Sequence, residues 1–234
     1  VFPTVETLLQ IVKHDLDPDF VEALAVDVAW EYSALYNQIA SEPDLPDDFR
    51  QEQFAKRRGY SVATALKRTA IVHRVPYEFI RLECNGQQKL IVKAGRVLLI
   101  QEPILTLDDA PKATDYKVSL ANIHGLMSQA ELDLGDRGRR IQDWSGCVLG
   151  VLLHGASGPH FTKEQRMLGG LMLGITDASY SQWVLRVDLH QIAMFGRGTA
   201  PQQQIINPVT GPVPSQPDNV FVTPKKKKID KGST

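Results

Sequence analysis

Cysteine is scarce in this chain. Cys84 and Cys147 are the only two in 234 residues, with no CxxC spacing and no third thiol, which excludes a disulfide framework and a thiolate zinc site. Each sits in an apolar run, so both are expected as reduced core residues in a reducing compartment. Long hydrophobic runs are also missing. No stretch approaches the roughly 18 apolar residues that a membrane span needs, so no membrane partner is expected. The first twenty residues lack a basic start followed by an apolar block, and the expected location is the cytoplasm. There is no Walker lysine, no GxGxxG and no trustworthy zinc spacing of histidines, so no metal is assigned and any cofactor is left unknown.

What is present is an ordinary folding composition, 43% hydrophobic and 23% charged residues in 26.0 kDa, enough for one main domain with a substantial core. The formal net charge of −1 hides strong segregation. Residues 1–49 hold eleven acids against Lys13 alone, whereas residues 50–96 hold eleven Lys and Arg against Glu52, Glu78 and Glu83. The last 37 residues are again basic, with Lys225 to Lys228 in "TPKKKKID", a run that resembles a simple nuclear-import signal.

Three segments are expected: a helical one over 1–76, acidic then basic; an α/β core over 77–197; and a Pro/Gln-rich, Lys-rich flexible tail over 198–234. In "TVETLLQIVKH" the residues Val5, Leu8, Leu9 and Val12 recur at helical spacing. A second helix starts from Asp17 as N-cap with Pro18 at its first position, and buries Val21, Leu24, Val28, Leu35 and Ile39. A third is expected over 47–58, stopping at Gly59, and a fourth from Ser61 as N-cap to before Pro76. Together these two make a basic helix pair that weakly resembles a helix–turn–helix.

From Tyr77 the period changes to two. "YEFIRLEC" and "KLIVKA" flank Asn85-Gly86, a hairpin signal, and "RVLLIQEP" completes a three-stranded antiparallel meander. A helix is expected over 115–134. "CVLGVLL" reads as a strand buried on both faces, and a Thr162/Gln165 capping box opens an expected helix that carries Gly169, Gly170 and Gly174. "QWVLRVDLH" then alternates, with Trp183, Leu185, Val187 and Leu189 on one side. The expected class is therefore α/β: an N-terminal helical segment and a mixed sheet, made of the meander plus a β-α-β crossover, with packed helices and a disordered C-terminal tail.

Three constellations bear on chemistry. A meander followed by a helix and a strand resembles, in element order, the PD-(D/E)XK nuclease core. That chemistry needs an acid opening the second strand and an acid-x-Lys on the third. "QQKLIVKA" holds no acid, Glu102 is followed by Pro103, and the nearest acid-x-Lys is Asp115-Tyr116-Lys117, which reads as a helix N-terminus. The second is the crossover loop "HGASGPHFTK", where His154, Ser157, His160, Asp188 and His190 are candidates for a phosphate or metal site; of these His154, Asp188 and His190 are the catalytic candidates. The third is the basic helix pair, whose Arg50, Lys56, Arg57, Arg58, Lys67, Arg68 and Arg74 are suited to neutralise phosphates.

The leading expectation is a binding protein that contacts DNA or RNA phosphates through residues 50–74 and neighbouring strand lysines, leaning away from catalysis. The alternatives are a metal- or phosphate-dependent enzyme of the nuclease or phosphoesterase type, and a protein-interaction module whose acidic and basic segments dock on a protein partner or on a second copy in a homo-oligomer. The adjacent acids set the competing possibility, that the chain neutralises its own basic face.

Overall fold

The structure, a computed structural model, describes residues 3–82, 85–106, 109–121 and 146–195. The tail over 198–234, most of the helix expected over 115–134, and Cys84 lie outside the described residues.

Helix α1 spans Val5–Asp15 and α2 spans Pro18–Ala40. Thr4 caps the first through its hydroxyl, and the Asp17 carboxylate accepts from the Asp19 amide to cap the second. The expected stripe of α2 is buried in full, from Val21 to Ile39. Helix α3 runs without interruption from Asp47 to Val72, which corrects the expected helix pair. Gly59 costs about 1 kcal/mol in a helix interior. The buried row Phe54, Arg58, Val62, Ala65, Leu66 and Thr69 continues through it and outweighs that cost. The end is a Schellman-type turn in which the Val75 amide donates to the Ala70 carbonyl and Arg74 takes a left-handed φ of 57°.

Six strands form one sheet in chain order, β1 (Tyr77–Arg81), β2 (Gln88–Ala94), β3 (Val97–Pro103), β4 (Val148–Ala156), β5 (Leu168–Thr176) and β6 (Trp183–Asp188). The β1–β2–β3 meander is antiparallel as expected, with Gly86 at φ 68° in its first turn. Strands β3 and β4 are parallel, paired from Val97↔Val148 to Pro103↔His154. Helix α4 (Asp115–Ala121) lies in the connection between them.

The α/β class with a mixed sheet therefore stands, but the crossover lies between β3 and β4 rather than over 148–190. The helix expected after Thr162 is strand β5, antiparallel to both β4 and β6. Leu171, Leu173 and Ile175 alternate inward there, a period of two that the capping box at 162–165 masked. Its glycines pack where side chains have no room: a Cβ on Gly169 would meet the Ser157 backbone at 2.5 Å, and one on Gly174 the Trp183 ring at 2.7 Å. A register shift between Ile175 and Thr176 adds a residue to β6, so Trp183 packs on the face opposite to Leu185 and Val187.

Helices α1, α2, α3 and α5 (Leu189–Phe195) share one core with the inner sheet face, including Val92, Leu99, Leu152, Leu173 and Val187. The other face, with Leu98, Ile100, Leu149, Val151 and Leu153, packs against Leu120, Ala121 and Tyr180. Cys147 is buried there. Among the described residues no helix is long and apolar enough to cross a membrane.

Candidate functional site

Asp27 and Glu31 of α2, and Glu42 just after it, meet the basic helix within the chain. Arg68 pairs with Asp27 at 3.2 Å and Glu31 at 2.9 Å, and its guanidinium lies over the Trp30 ring. The Arg57 guanidinium pairs with Glu42 at 2.5 Å. Arg50 donates to the carbonyls of Ala40, Glu42 and Leu45, closing the C-terminal end of α2, and pairs with Asp47. Lys56 pairs with Glu52 one turn away. Arg58 is buried. Lys67, 5.3 Å from the centroid of the Phe79 ring, and the exposed Arg74 form no ion pair among the described residues.

The histidine candidates differ in burial. His154 is fully buried, while His160 and His190 are exposed, and the Asp188 carboxylate accepts the His190 amide at the start of α5. Ser157 donates to the Met167 carbonyl across the β4–β5 loop. Among the described residues no group of three His, Cys, Asp or Glu side chains could hold a metal ion.

A different site is built where β2 and β3 part. Their pairing covers only Val92↔Leu99 to Ala94↔Val97, which leaves the start of β2 and the end of β3 open. A cleft of about 1070 Å³ lies at this opening, lined by Asn85, Gln87, Lys89, Gln101, Glu102, Lys112, Asp115, Tyr116 and Lys117 among others. A smaller pocket of about 210 Å³ shares Lys89, Gln101 and Tyr116 with it and reaches Gly59 and Tyr60 of α3. Both clefts lie at the carboxyl end of the parallel pair, the end of a sheet that ligands favour.

Strand alternation sends Gln101 toward the helices and Glu102 toward α4. On the α4 side, Lys117 Nζ donates to Glu102 Oε2 at 2.7 Å and to the Lys112 carbonyl at 2.8 Å, and the Tyr180 hydroxyl donates to the same Oε2 at 2.9 Å. Burial pushes the Lys117 ammonium below the ordinary lysine range; Glu102 opposes this, and the charges of Lys89 and Lys112 add to it. Burial and then the Glu102 charge raise Tyr116 to about 12. Tyr180 is raised for the same reasons.

On the helix side, His154 Nε2 donates to Gln101 Oε1 at 2.8 Å, since that oxygen can only accept. Its Nδ1 then accepts from the Tyr32 hydroxyl at 2.7 Å. Burial, followed by the nearby Arg58 charge, drives His154 down to about 3, so the ring is neutral and the Gln101 NH2 group is left free to donate elsewhere. Arg58 and Arg166, each at least nine-tenths buried, face this chain with no carboxylate within 4 Å among the described residues. Arg166 donates to the His160 and Pro159 carbonyls and stacks over Phe54. Buried Arg58 Nε has no partner.

Sequence reasoning weighed Glu102 and Lys117 only against the nuclease pattern, which neither fits, and did not pair them, because they stand fifteen positions apart. The usable signal was that Lys117 lies three positions before the buried Leu120, on the inward side of its helix. Gln101 and Tyr32 gave no signal. Compared with protein-family models, curated proteins and solved structures, the chain matches none of them.

Proposed function

We propose that the protein binds nucleic acid through its phosphates, and that the contact surface is the cleft between β2, β3 and α4 together with Lys67 of α3, rather than the whole of residues 50–74. The observation that carries this reading is the set of lysines at the cleft. Lys89 and Lys112 form no ion pair among the described residues, and both stand near enough to Lys117 to disfavour its charge. Like charges gathered at an open cleft are relieved by an anion. The exposed Tyr60, which lines the smaller pocket, adds an aromatic face on which a base can stack. Asp27, Glu31 and Glu42, among the acids weighed for docking on a second copy, are engaged within the chain, so this reading does not rest on a dimer.

Fluorescence anisotropy with labelled single-stranded and duplex oligonucleotides, at low and raised salt, tests it. Each phosphate contact contributes about −0.7 to −0.9 to the slope of log affinity against log salt. Lys89→Glu with Lys112→Glu is expected to weaken binding at least about tenfold and flatten the slope by about two. Lys163→Glu, outside the cleft, is expected to leave both unchanged. Absent or salt-insensitive binding, or a double variant that binds like the parent, refutes the reading.

A further inference from the structure

We propose that Lys117 is an imine-forming lysine and that its carbonyl partner is a phosphate-bearing aldehyde seated in the cleft between β2, β3 and α4. The phosphate half rests on the reading above; the amine half rests on the Lys117, Glu102 and Tyr180 cluster and on the burial of Lys117 beside two further lysines.

A lysine is nucleophilic only as the free amine, and burial, absence of bulk water and neighbouring cations favour that form. Lys117 meets these conditions while still lining the open cleft: its side chain is 9% exposed, and Lys89 and Lys112 bear on it. An ion pair this buried is weak evidence of a role in stability, because desolvation offsets most of the Coulomb gain. The neighbours fit a chemical role better.

Glu102 Oε2, 2.7 Å from Nζ, takes the proton that the ammonium sheds. Nζ then bonds to the aldehyde carbon as the C=O π pair moves to oxygen, and a proton passes from that nitrogen to the oxygen to make a hydroxyl. Glu102 returns its proton to the hydroxyl, the C–O bond breaks and water leaves as the nitrogen lone pair forms the C=N bond, and the last N–H proton passes to the Glu102 carboxylate. One amine and one aldehyde give one imine and one water, without an oxidant or reductant. The Tyr180 hydroxyl, 2.9 Å from Oε2, fixes the carboxylate that carries the proton. Lys89 and Lys112 at the cleft receive the phosphate. Two sources carry this chemistry: a deoxyribose in DNA that has lost its base, whose ring-opened form is an aldehyde flanked by phosphates, and a small phosphorylated aldehyde.

The test uses the full chain and two probes, a duplex with one baseless deoxyribose and pyridoxal 5′-phosphate, each reduced in place with borohydride and mapped by peptide mass spectrometry. Lys117 is expected to carry at least about ten times the adduct of the exposed Lys56, Lys112 or Lys163, because nucleophilicity and not exposure sets the yield. Lys117→Arg is expected to lose it. Reduction onto Lys117 by the duplex alone identifies DNA as the source, and by pyridoxal phosphate alone a small molecule; either supports the proposal. Adduct spread over exposed lysines of the wild-type chain, or none at Lys117, overturns it, and that map needs no variant to fold. Anisotropy on intact duplex runs alongside. Binding without adduct sinks the imine and leaves the binding reading, while adduct from pyridoxal phosphate without duplex binding does the reverse.

Discussion

Acidification to pH 4 should act on this protein through one residue more than any other. His154 is enclosed between Tyr32 and Gln101, and its folded pKa lies at about 3 against 6.5 for an exposed imidazole. Between those values the unfolded chain binds a proton that the folded chain refuses, so stability falls as pH drops through 6.5 and levels off only near 3. From pH 7 to pH 4 the loss from this group is about 3 kcal/mol, taken from the two pKa values by linkage. His154→Gln isolates it, since an amide can accept from the Tyr32 hydroxyl and donate to Gln101 Oε1 without titrating. Urea unfolding of both proteins at pH 7 and pH 4 measures the effect, and the carboxylates common to both cancel in the difference. The wild type is expected to lose about 3 kcal/mol more than the variant, a displacement of the midpoint by one molar or more for a domain of this size. Parallel pH curves would mean that His154 titrates normally and that the buried chain from Tyr32 to Gln101 is not formed.

Glu102→Gln leaves the Lys117 ammonium with only a carbonyl and is expected to cost about 3–5 kcal/mol, most of it recovered when Lys117→Met is added. Additive losses in the chemical-denaturation cycle would rule out their pairing. Because the folded pKa of Lys117 lies below its unfolded value, the unfolded chain holds the extra proton just below pH 10.5, so wild-type stability should rise with pH there relative to Lys117→Met; no difference in slope would count against the shift. Gly169→Ala separates strand from helix. A helix would gain about 1 kcal/mol from it, whereas the approach of 2.5 Å to the Ser157 backbone predicts a loss of about 1–3 kcal/mol, read as a fall in Tm. Arg68→Ala removes a half-exposed pair with Asp27 and Glu31 and should cost no more than about 1 kcal/mol, less at high salt.

Local physics was legible in the residues. Asp17 and Pro18 start a helix because cap geometry involves neighbours only, and the stripe from Val21 to Ile39 declares its buried face by spacing alone. The meander around Asn85-Gly86 and the doubly buried run at 148–154 were readable for the same reason. Errors arose where a local signal competed with distant packing. Gly59 and Ser61 look like a helix break, yet the row from Phe54 to Thr69 carries α3 across them against the sheet. Thr162 and Gln165 look like a helix start, yet β4 and β6 pair with the segment that follows.

The sequence by itself determined the α/β class, the opposed charges of the two N-terminal segments and the buried stripe of α2, since these depend on residue type and on separations of a few positions. Only tertiary structure decided which charges cancel. Arg68 meets Asp27 forty-one residues away, Glu102 meets Lys117 fifteen positions on, and Tyr32 meets His154 across 122 positions. Coulomb and hydrogen-bond energies depend on distance in space and on burial, neither of which is written in the order of residues until the sheet and helices have closed on one another.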